Sequence, residues 1–465
     1  MNRRTRSIRQ ILMLASLAGL LVSCSMPRHF QHEAVNTEGL YGDSATTDST
    51  NMADQPWNVF FTDTTLQKLI QEGIDNNPDL QIAMQKVLEA EAYFSQSKAA
   101  LFPDISARAT GTYTKNPELV NTNSPREVTI YQLGAQASWE VDLWGILSRS
   151  KRAAYAHLLS SDAGRKAVQT RLVASIASAY YSLAGLDQQL LITQQTVKNN
   201  IDLVETLKVL KESGRVTGAA VVQSEAVRYA GEVTIPDLKQ QIRENENALC
   251  QLLGRVPGPI ERGKINQQTI SSLLQTGVPA QLLDNRPDVM QAEYELQSAY
   301  ETTNSARAYF YPALTLTAST GLAATDLNKL LDPASFAANV IAGLTQPIFN
   351  RKMNATRLKV ARAQQQEALI HFRDVLLNAG QEVQNALGSY ESSVQKIALR
   401  QLQLDALVKS VDYTKQLLTY GSSTYIEVLN AQTSLLSAQL NSVNDRLQQL
   451  NAVVTLYRAL GGGWR

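Results

Sequence analysis

The sequence predicts a mixed α and β membrane protein in which each chain has four transmembrane β-strands, two long α-helical hairpins and several shorter helices. Three observations predict this class. The sequence contains an internal repeat of about half its length, four segments alternate polar with apolar residues, and residues 146–213 and 351–419 contain no proline. Aromatic residues make up only 6% of the 465 residues, a composition that favours long packed helices.

The first 23 residues predict a secretory signal peptide. Four arginines lie within the first ten residues and precede an apolar run, residues 11–22, that is too short to cross a bilayer. The run ends in Leu-Val and is followed by Ser23 and Cys24, and this sequence resembles the bacterial lipobox. Cys24 is therefore expected to be acylated and to begin a lipidated, extended segment over residues 24–62. Because Cys250 is the only other cysteine, no disulfide within the chain is expected.

The charge balance argues against one class of partner. When the four N-terminal arginines are left out of the 43 basic residues, 39 remain against 42 acidic residues, a net charge of about −3. A nucleic-acid-binding surface needs clustered positive charge, so no nucleic-acid partner is expected.

The chain consists of two similar halves. Residues 77–80, which contain Pro-Asp, recur as residues 286–289, an offset of 209; Leu253-Gly254 recurs as Leu460-Gly461, an offset of 207. Such a repeat predicts two structurally equivalent units. The predicted division is a first repeat over residues 63–257, an equatorial linker over residues 258–285 and a second repeat over residues 286–465.

Each half contains two segments with the period-two alternation of a β-strand. Ile105, Ala107 and Ala109, for example, alternate with polar neighbours. The predicted strands are residues 104–116, 127–141, 313–322 and 336–347. Each is long enough to cross a bilayer as a tilted strand, which takes about 9–11 residues. A half-buried soluble sheet shows the same alternation, but the signal peptide and lipobox favour a membrane.

Four strands are too few to close a barrel. An open strand edge in lipid leaves backbone groups without hydrogen bonds, at a cost of several kcal/mol each. The chain therefore needs partners, and the sequence alone indicates only that a closed structure takes more than one copy.

The long proline-free runs predict helices that extend about 100 Å at about 1.5 Å per residue. Leu183, Leu186, Leu190 and Val197 follow the three- and four-residue steps of a coiled-coil seam. Each run ends near a glycine and is followed by a second helical pattern. The sequence thus predicts two αα-hairpins, with tips near residues 214–218 and 421–424.

Five short motifs follow one another along the chain: Trp57–Asp63, Trp139–Gly145, Gln346–Phe349, Tyr425–Gln432 and Ala459–Trp464. Any one of these motifs is a weak signal, but together and in this order they are specific. They resemble the outer membrane factor (TolC-like) family, in the lipoprotein branch that serves resistance-nodulation-division (RND) efflux pumps. The similarity runs from Cys24 to the C-terminus.

The resemblance implies a homotrimer whose strands form a twelve-stranded β-barrel, continuous with a periplasmic α-helical barrel. It implies an outer-membrane location, with a lipid anchor at Cys24 and a long periplasmic extension. The implied function is the channel component of a tripartite efflux system, which passively conducts small molecules. The implied partners are outer-membrane lipid, a periplasmic adaptor protein and an inner-membrane RND pump, and no cofactor is expected besides the covalent lipid.

The resemblance also implies which residues act at the hairpin tips. The periplasmic gate candidates are Ile426, Glu427 and Asn430, and three copies of Glu427 are expected to form an acidic constriction that favours cations. Asn430 stands where this branch often has Asp, and Thr433 where it often has Arg. The candidates for adaptor contact are Gly214, Gly421, Ser422 and Ser423.

Three other functional classes are weighed against this interpretation. An enzyme is disfavoured because the four histidines form no metal-binding pair and no phosphate loop or nucleophile elbow is present; no catalytic or metal site is predicted. A periplasmic adaptor would have one hairpin and no duplicated strand pairs. The exit duct of a type I secretion system remains an alternative, although those ducts usually lack a lipobox.

Overall fold

The computed structural model describes residues 30–31, 39–41, 50–117, 127–269, 276–420 and 423–465. Two compact units divide the chain. The first contains Leu88–Ser160 and Ala292–Phe372, and the second contains Asn36–Val87, Ser161–Gln291 and Arg373–Arg465. Among the described residues, no helix combines the length and the apolar character that crossing a membrane requires.

The first half of the chain begins with three helices, followed by two strands and two long helices. The elements are α1 (Trp57–Phe60), α2 (Thr64–Asn76), α3 (Pro78–Ala99), β1 (Asp104–Lys115), β2 (Glu127–Val141), α4 (Ile146–Glu212) and α5 (Gly218–Leu252). Helix α5 continues through Pro236, although proline usually breaks or kinks a helix.

The second half repeats this order after a one-turn helix. The elements are α6 (Leu282–Asn285), α7 (Pro287–Ala308), β3 (Ala313–Ala324), β4 (Phe336–Thr345), α8 (Met353–Tyr420) and α9 (Tyr425–Ala459). Strand β3 extends two residues beyond the predicted end, and β4 ends two residues before it. The starts of α3 and α7 differ by 209 residues and those of α4 and α8 by 207, which are the offsets of the sequence repeat.

The return helices of the two hairpins end in the same geometry. After α5, Gly254 has φ +68° and the amide of Arg255 donates to the Cys250 carbonyl; after α9, Gly461 has φ +93° and the amide of the next residue donates to the Tyr457 carbonyl. A Cβ on either glycine would lie 2.3 Å from a backbone oxygen, that of Asn76 or that of Asn285. Both positions therefore require glycine, for conformation and for space.

The four strands form one antiparallel sheet in the order β1-β2-β3-β4. Its register aligns most side chains with neighbours of the same kind, as two rows that cross all four strands show. Ile105 pairs with Ala137, Ala137 with Ala318 and Ala318 with Val340; the next row is Ser106, Gln136, Ser319 and Asn339. One face of the sheet is therefore mainly apolar and the other mainly polar.

A buried ion pair joins two helices of the first unit close to the sheet. The Arg149 guanidinium on α4 lies 2.8 Å from the Glu301 carboxylate on α7, and both side chains are at least 95% buried. A second contact joins the same two helices, since Ser305 donates to the Ile146 carbonyl. These contacts hold the start of α4 beside the helix that leads into β3.

The second unit is held together around the Asp63 carboxylate. Asp63 caps α2 by accepting from the amide of Thr65, and it also accepts from Tyr180 at 2.6 Å and from Gln268 at 2.7 Å. Burial opposes ionisation of Asp63, but these hydrogen bonds outweigh it and hold the pKa of the carboxyl below its usual value. Burial and the neighbouring Asp63 raise the pKa of Tyr180.

Candidate functional site: the two-faced sheet and the hairpin tips

The apolar face of the sheet is exposed to a degree that is unusual for a folded chain. Ile105 is 75% exposed, Val340 77% and Leu344 66%, and Leu133 between them is 46% exposed. A contiguous apolar surface of this kind marks contact with a membrane or another protein. The two outer strands, β1 and β4, each pair on one side within the sheet, so each has an edge available to a further strand.

The two hairpin tips pack against each other within the second unit. Their shared apolar core contains buried side chains from both hairpins: Leu203, Leu207, Val221, Leu418, Val428 and Leu429. Leu210, Val216 and Tyr425 pack against it. The tips therefore form one structural element within each chain.

Polar contacts complete the joined tips. The Arg215 guanidinium donates to the Thr419 carbonyl at 3.1 Å, and the Tyr425 hydroxyl donates to the Gln223 side chain at 3.0 Å. Gly214, an adaptor-contact candidate, has φ +71° and open space around it. It ends α4 in the left-handed conformation that glycine adopts most readily.

The gate candidates Ile426, Glu427 and Asn430 lie together at the start of α9. All three are exposed, whereas Val428 and Leu429 between them are buried in the tip core. Helical spacing places the three on one side of α9. The Ser423 hydroxyl, the remaining described adaptor-contact candidate, donates to the Glu427 carboxylate, and Glu427 lies in the first turn of α9, where the helix dipole favours a negative charge.

Three predicted site residues, Cys24, Gly421 and Ser422, lie outside the described residues. Cys250 is a buried free thiol whose Sγ lies 3.5 Å from the Gly258 carbonyl oxygen. Within the part of the chain that the structure describes, no three His, Cys, Asp or Glu side chains are grouped so that they could hold a metal ion.

The structure also joins residues that the sequence did not single out. The Arg262 guanidinium, in the predicted linker, lies 2.6 Å from Asp187 on α4 and 2.6 Å from Glu246 on α5. The ion pairs raise its pKa against the effect of burial. These charges are separated by 75 and 16 residues, so no local motif could have indicated that they meet.

A cavity of about 420 Å³ between α4, α5 and α9 was likewise not predicted. Asn200 and Gln432 line it and are almost completely buried. Among the described residues, the side-chain oxygen of Asn200 and both amide atoms of Gln432 have no hydrogen-bond partner. Buried amides in a cavity of this size are typical sites for bound water.

Comparison with known proteins places this architecture in a family. The model of a family described as outer membrane efflux protein matches residues 69–255 and residues 278–462. The chain belongs to this family. The two matched stretches fall on the two halves of the chain, and the resemblance predicted from the sequence is confirmed.

Individual members of the outer membrane efflux protein family are similar over nearly the whole chain. The cation efflux system protein CusC of Escherichia coli (strain K12) is 29% identical over 448 residues, which cover 95% of this chain and 97% of CusC. The probable outer membrane lipoprotein SilC of Salmonella typhimurium is 31% identical over 416 residues, 88% of each chain. A crystal structure of CusC, 27% identical, superimposes with a TM-score of 0.86 and covers 95% of this chain and 100% of CusC.

These findings establish the function and location at the level of the family. The chain is an outer-membrane component of an efflux system. Its fold is the mixed α and β fold of outer-membrane channels, with most residues in helices and a small sheet.

Proposed function

We propose that the chain is one protomer of a homotrimeric exit duct in the outer membrane, which passively conducts small molecules. In this arrangement, four strands from each of three copies form a twelve-stranded barrel. The four hairpin helices of each copy contribute to a helical barrel that extends into the periplasm.

The observation that carries this proposal is the register of the sheet. Its apolar rows produce a lipid-compatible face, and its polar rows give a face suited to water. The strands are 12, 15, 12 and 10 residues long, enough to cross a bilayer when tilted. If β4 of one protomer pairs with β1 of the next, the backbone groups along both open edges form hydrogen bonds.

The partners we propose are a periplasmic adaptor and an inner-membrane RND pump. The adaptor would contact the tips at Gly214, Gly421, Ser422 and Ser423. The packing of the two tips on one apolar core supports this, because a rigid composite surface can be recognised as a unit. A passive duct needs no catalytic residues, so selection among transported molecules would fall to the pump.

Two further features belong to the proposal. Cys24 would carry a covalent lipid that anchors the chain in the outer membrane, and the protein would need no other cofactor. Ile426, Glu427 and Asn430 would line a periplasmic gate. Their common exposure on α9 supports this role, since a lining surface must be free within the protomer.

Reconstitution of the purified full-length protein in a planar bilayer tests the proposal. The expected result is discrete, ohmic conductance steps that appear without any nucleotide or redox cofactor. A Glu427→Ala, Ile426→Ala variant lacks the two larger gate side chains and serves as a second test, also without adaptor. If both the native protein and this variant insert but leave the bilayer electrically silent at all applied potentials, the protein is not a duct.

A further inference from the structure

One row of the sheet has almost no side chains. The register aligns Arg108 with Gly134, Gly134 with Gly321, and Gly321 with Ala337. This row lies on the polar face of the sheet because its neighbours are the row of Ser106, Gln136, Ser319 and Asn339 and the row that contains Thr110 and Gln132. The backbone of β2 and β3 is therefore uncovered beside a single long cationic side chain.

The two central positions of this row cannot accept a side chain without a backbone shift. A Cβ on Gly134 would lie 2.6 Å from the Thr320 carbonyl oxygen, and a Cβ on Gly321 would lie 2.5 Å from the Leu133 carbonyl oxygen. Such close backbone approach requires glycine. The row forms the floor of a depression of about 230 Å³ whose lining includes Arg108, Gln132, Gln136 and Asn339.

Arg108 also lies far from the other charged residues on the polar face of the sheet. The strands contain five charged residues, of which Lys115 and Glu127 are on the apolar side and lie 2.9 Å apart as an ion pair. On the polar side, Asp104 is four residues from Arg108, about 13 Å along the strand. Glu140 is farther still, opposite Thr315. Arg108 is exposed, and the described part of the chain gives it no ion-pair partner.

We propose that Arg108, beside the glycine row, attracts small anions in the aqueous lumen of the duct. This inference rests on the proposed trimer, in which three copies would place three guanidinium groups around the lumen at one level. A ring of fixed charge raises the local concentration of the opposite ion and thereby sets the charge preference of a pore. The bare glycine backbone beside each arginine leaves room for a hydrated anion to approach the guanidinium donors.

The test measures the chloride-to-potassium permeability ratio from the reversal potential of reconstituted channels in a KCl gradient. Arg108→Gln is expected to lower this ratio about two- to threefold, because three unit charges would be lost from the lumen wall and their effect is partly screened by salt. Arg108→Lys is expected to retain the native ratio, because it retains the charge. Lys115→Gln is the matched control, since it removes a paired cation from the opposite face of the same strand.

Salt and chemical modification separate an electrostatic role from a structural one. The effect of Arg108→Gln should shrink as KCl rises from 0.1 M to 1 M, because the screening length falls from about 10 Å to about 3 Å. In an Arg108→Cys variant, a thiol reagent that attaches a sulfonate should lower the chloride-to-potassium permeability ratio, and one that attaches a trimethylammonium group should raise it towards the native value. The native protein, whose Cys250 is buried, controls for other thiols.

An Arg108→Gln channel with native conductance and an unchanged permeability ratio would overturn the inference and leave the proposed duct intact. The same holds if both thiol reagents have equal effects. If neither the native protein nor the Glu427→Ala, Ile426→Ala variant forms channels, the proposed function fails, and this inference fails with it.

Discussion

At the residue scale, the clearest stabilising contacts are hydrogen bonds between polar side chains that are partly or fully buried. Asp63 accepts hydrogen bonds from Tyr180, Gln268 and the first turn of α2. The Tyr180 hydroxyl in turn accepts from the amide of Gly263 in the linker. One carboxylate thus joins the N-terminal helix, the first hairpin and the linker, and its ionised form is the one that these donors stabilise.

The stability contributed by Asp63 should therefore depend on pH. Its folded-state pKa is lowered, so the contribution is complete above the ordinary aspartate pKa of about 3.9 and is lost as the pH falls through the lower folded value. Asp63→Asn should destabilise the protein most at neutral pH, and the difference from the native protein should disappear in strong acid. Thermal unfolding between acidic and neutral pH measures this difference in stability. Asp75→Asn, at the exposed end of α2, is the control substitution. A difference that grows in acid would refute this account.

Glu427 allows a second prediction at this scale. Glu427→Gln should lower the cation preference of reconstituted channels if three copies form an acidic constriction. Glutamine can still accept the hydrogen bond from Ser423, so the start of α9 should be preserved. Asp405→Asn, which neutralises another exposed carboxylate that accepts from a side chain one turn away, is the control. An unchanged reversal potential in Glu427→Gln would reject the ring.

At the element scale, the sequence was sufficient for the strands and long helices but not for their pairing. Alternation identified all four strands to within a few residues, since period two has no other common cause over ten residues. The register of β2 against β3 pairs Gly134 with Gly321, which lies 187 positions later in the sequence, and no local pattern contains this pairing. The continuation of α5 through Pro236 could not be predicted locally either, because proline usually breaks or kinks a helix.

The same limit applies to the candidate site. Family motifs pointed to Ile426, Glu427 and Asn430, and helical spacing explains why they share one side of α9. The packing of the two tips through Leu207, Val428 and their neighbours depends on contacts between segments about 200 residues apart. Arg108 was visible in the sequence as a charge within an alternating strand, but its isolation became apparent only from the register.

The two faces of β3 yield a prediction for the sheet. Ala318 lies on the apolar face and Thr317 on the polar face. Ala318→Arg should place a charge in lipid at a cost of about 2–4 kcal/mol near the bilayer centre, whereas Thr317→Arg should be tolerated. The amount of folded protein in isolated outer membranes is measured for each variant, and it should be lower for Ala318→Arg than for Thr317→Arg. Equal losses for both, or a greater loss for Thr317→Arg, would contradict the assignment of the faces.

At the scale of the whole molecule, the chain is a duplicated protein that the proposed trimer would complete. Both halves supply two strands and one hairpin, and their return helices end in equivalent glycine turns. The sheet nevertheless has two open edges and an exposed apolar face. The apolar face suits lipid, but lipid penalises the two open edges unless further strands close the sheet. The surrounding bilayer, more than any single contact, would therefore drive assembly.

Native mass spectrometry of the full-length protein, extracted from outer membranes in mild detergent, tests this claim most directly. The account predicts a dominant species with three times the mass of one lipid-modified chain, stable at concentrations at which weak complexes dissociate. A dominant species with the mass of a single chain, still folded by circular dichroism, would show that the four-stranded sheet is complete on its own and would contradict the account.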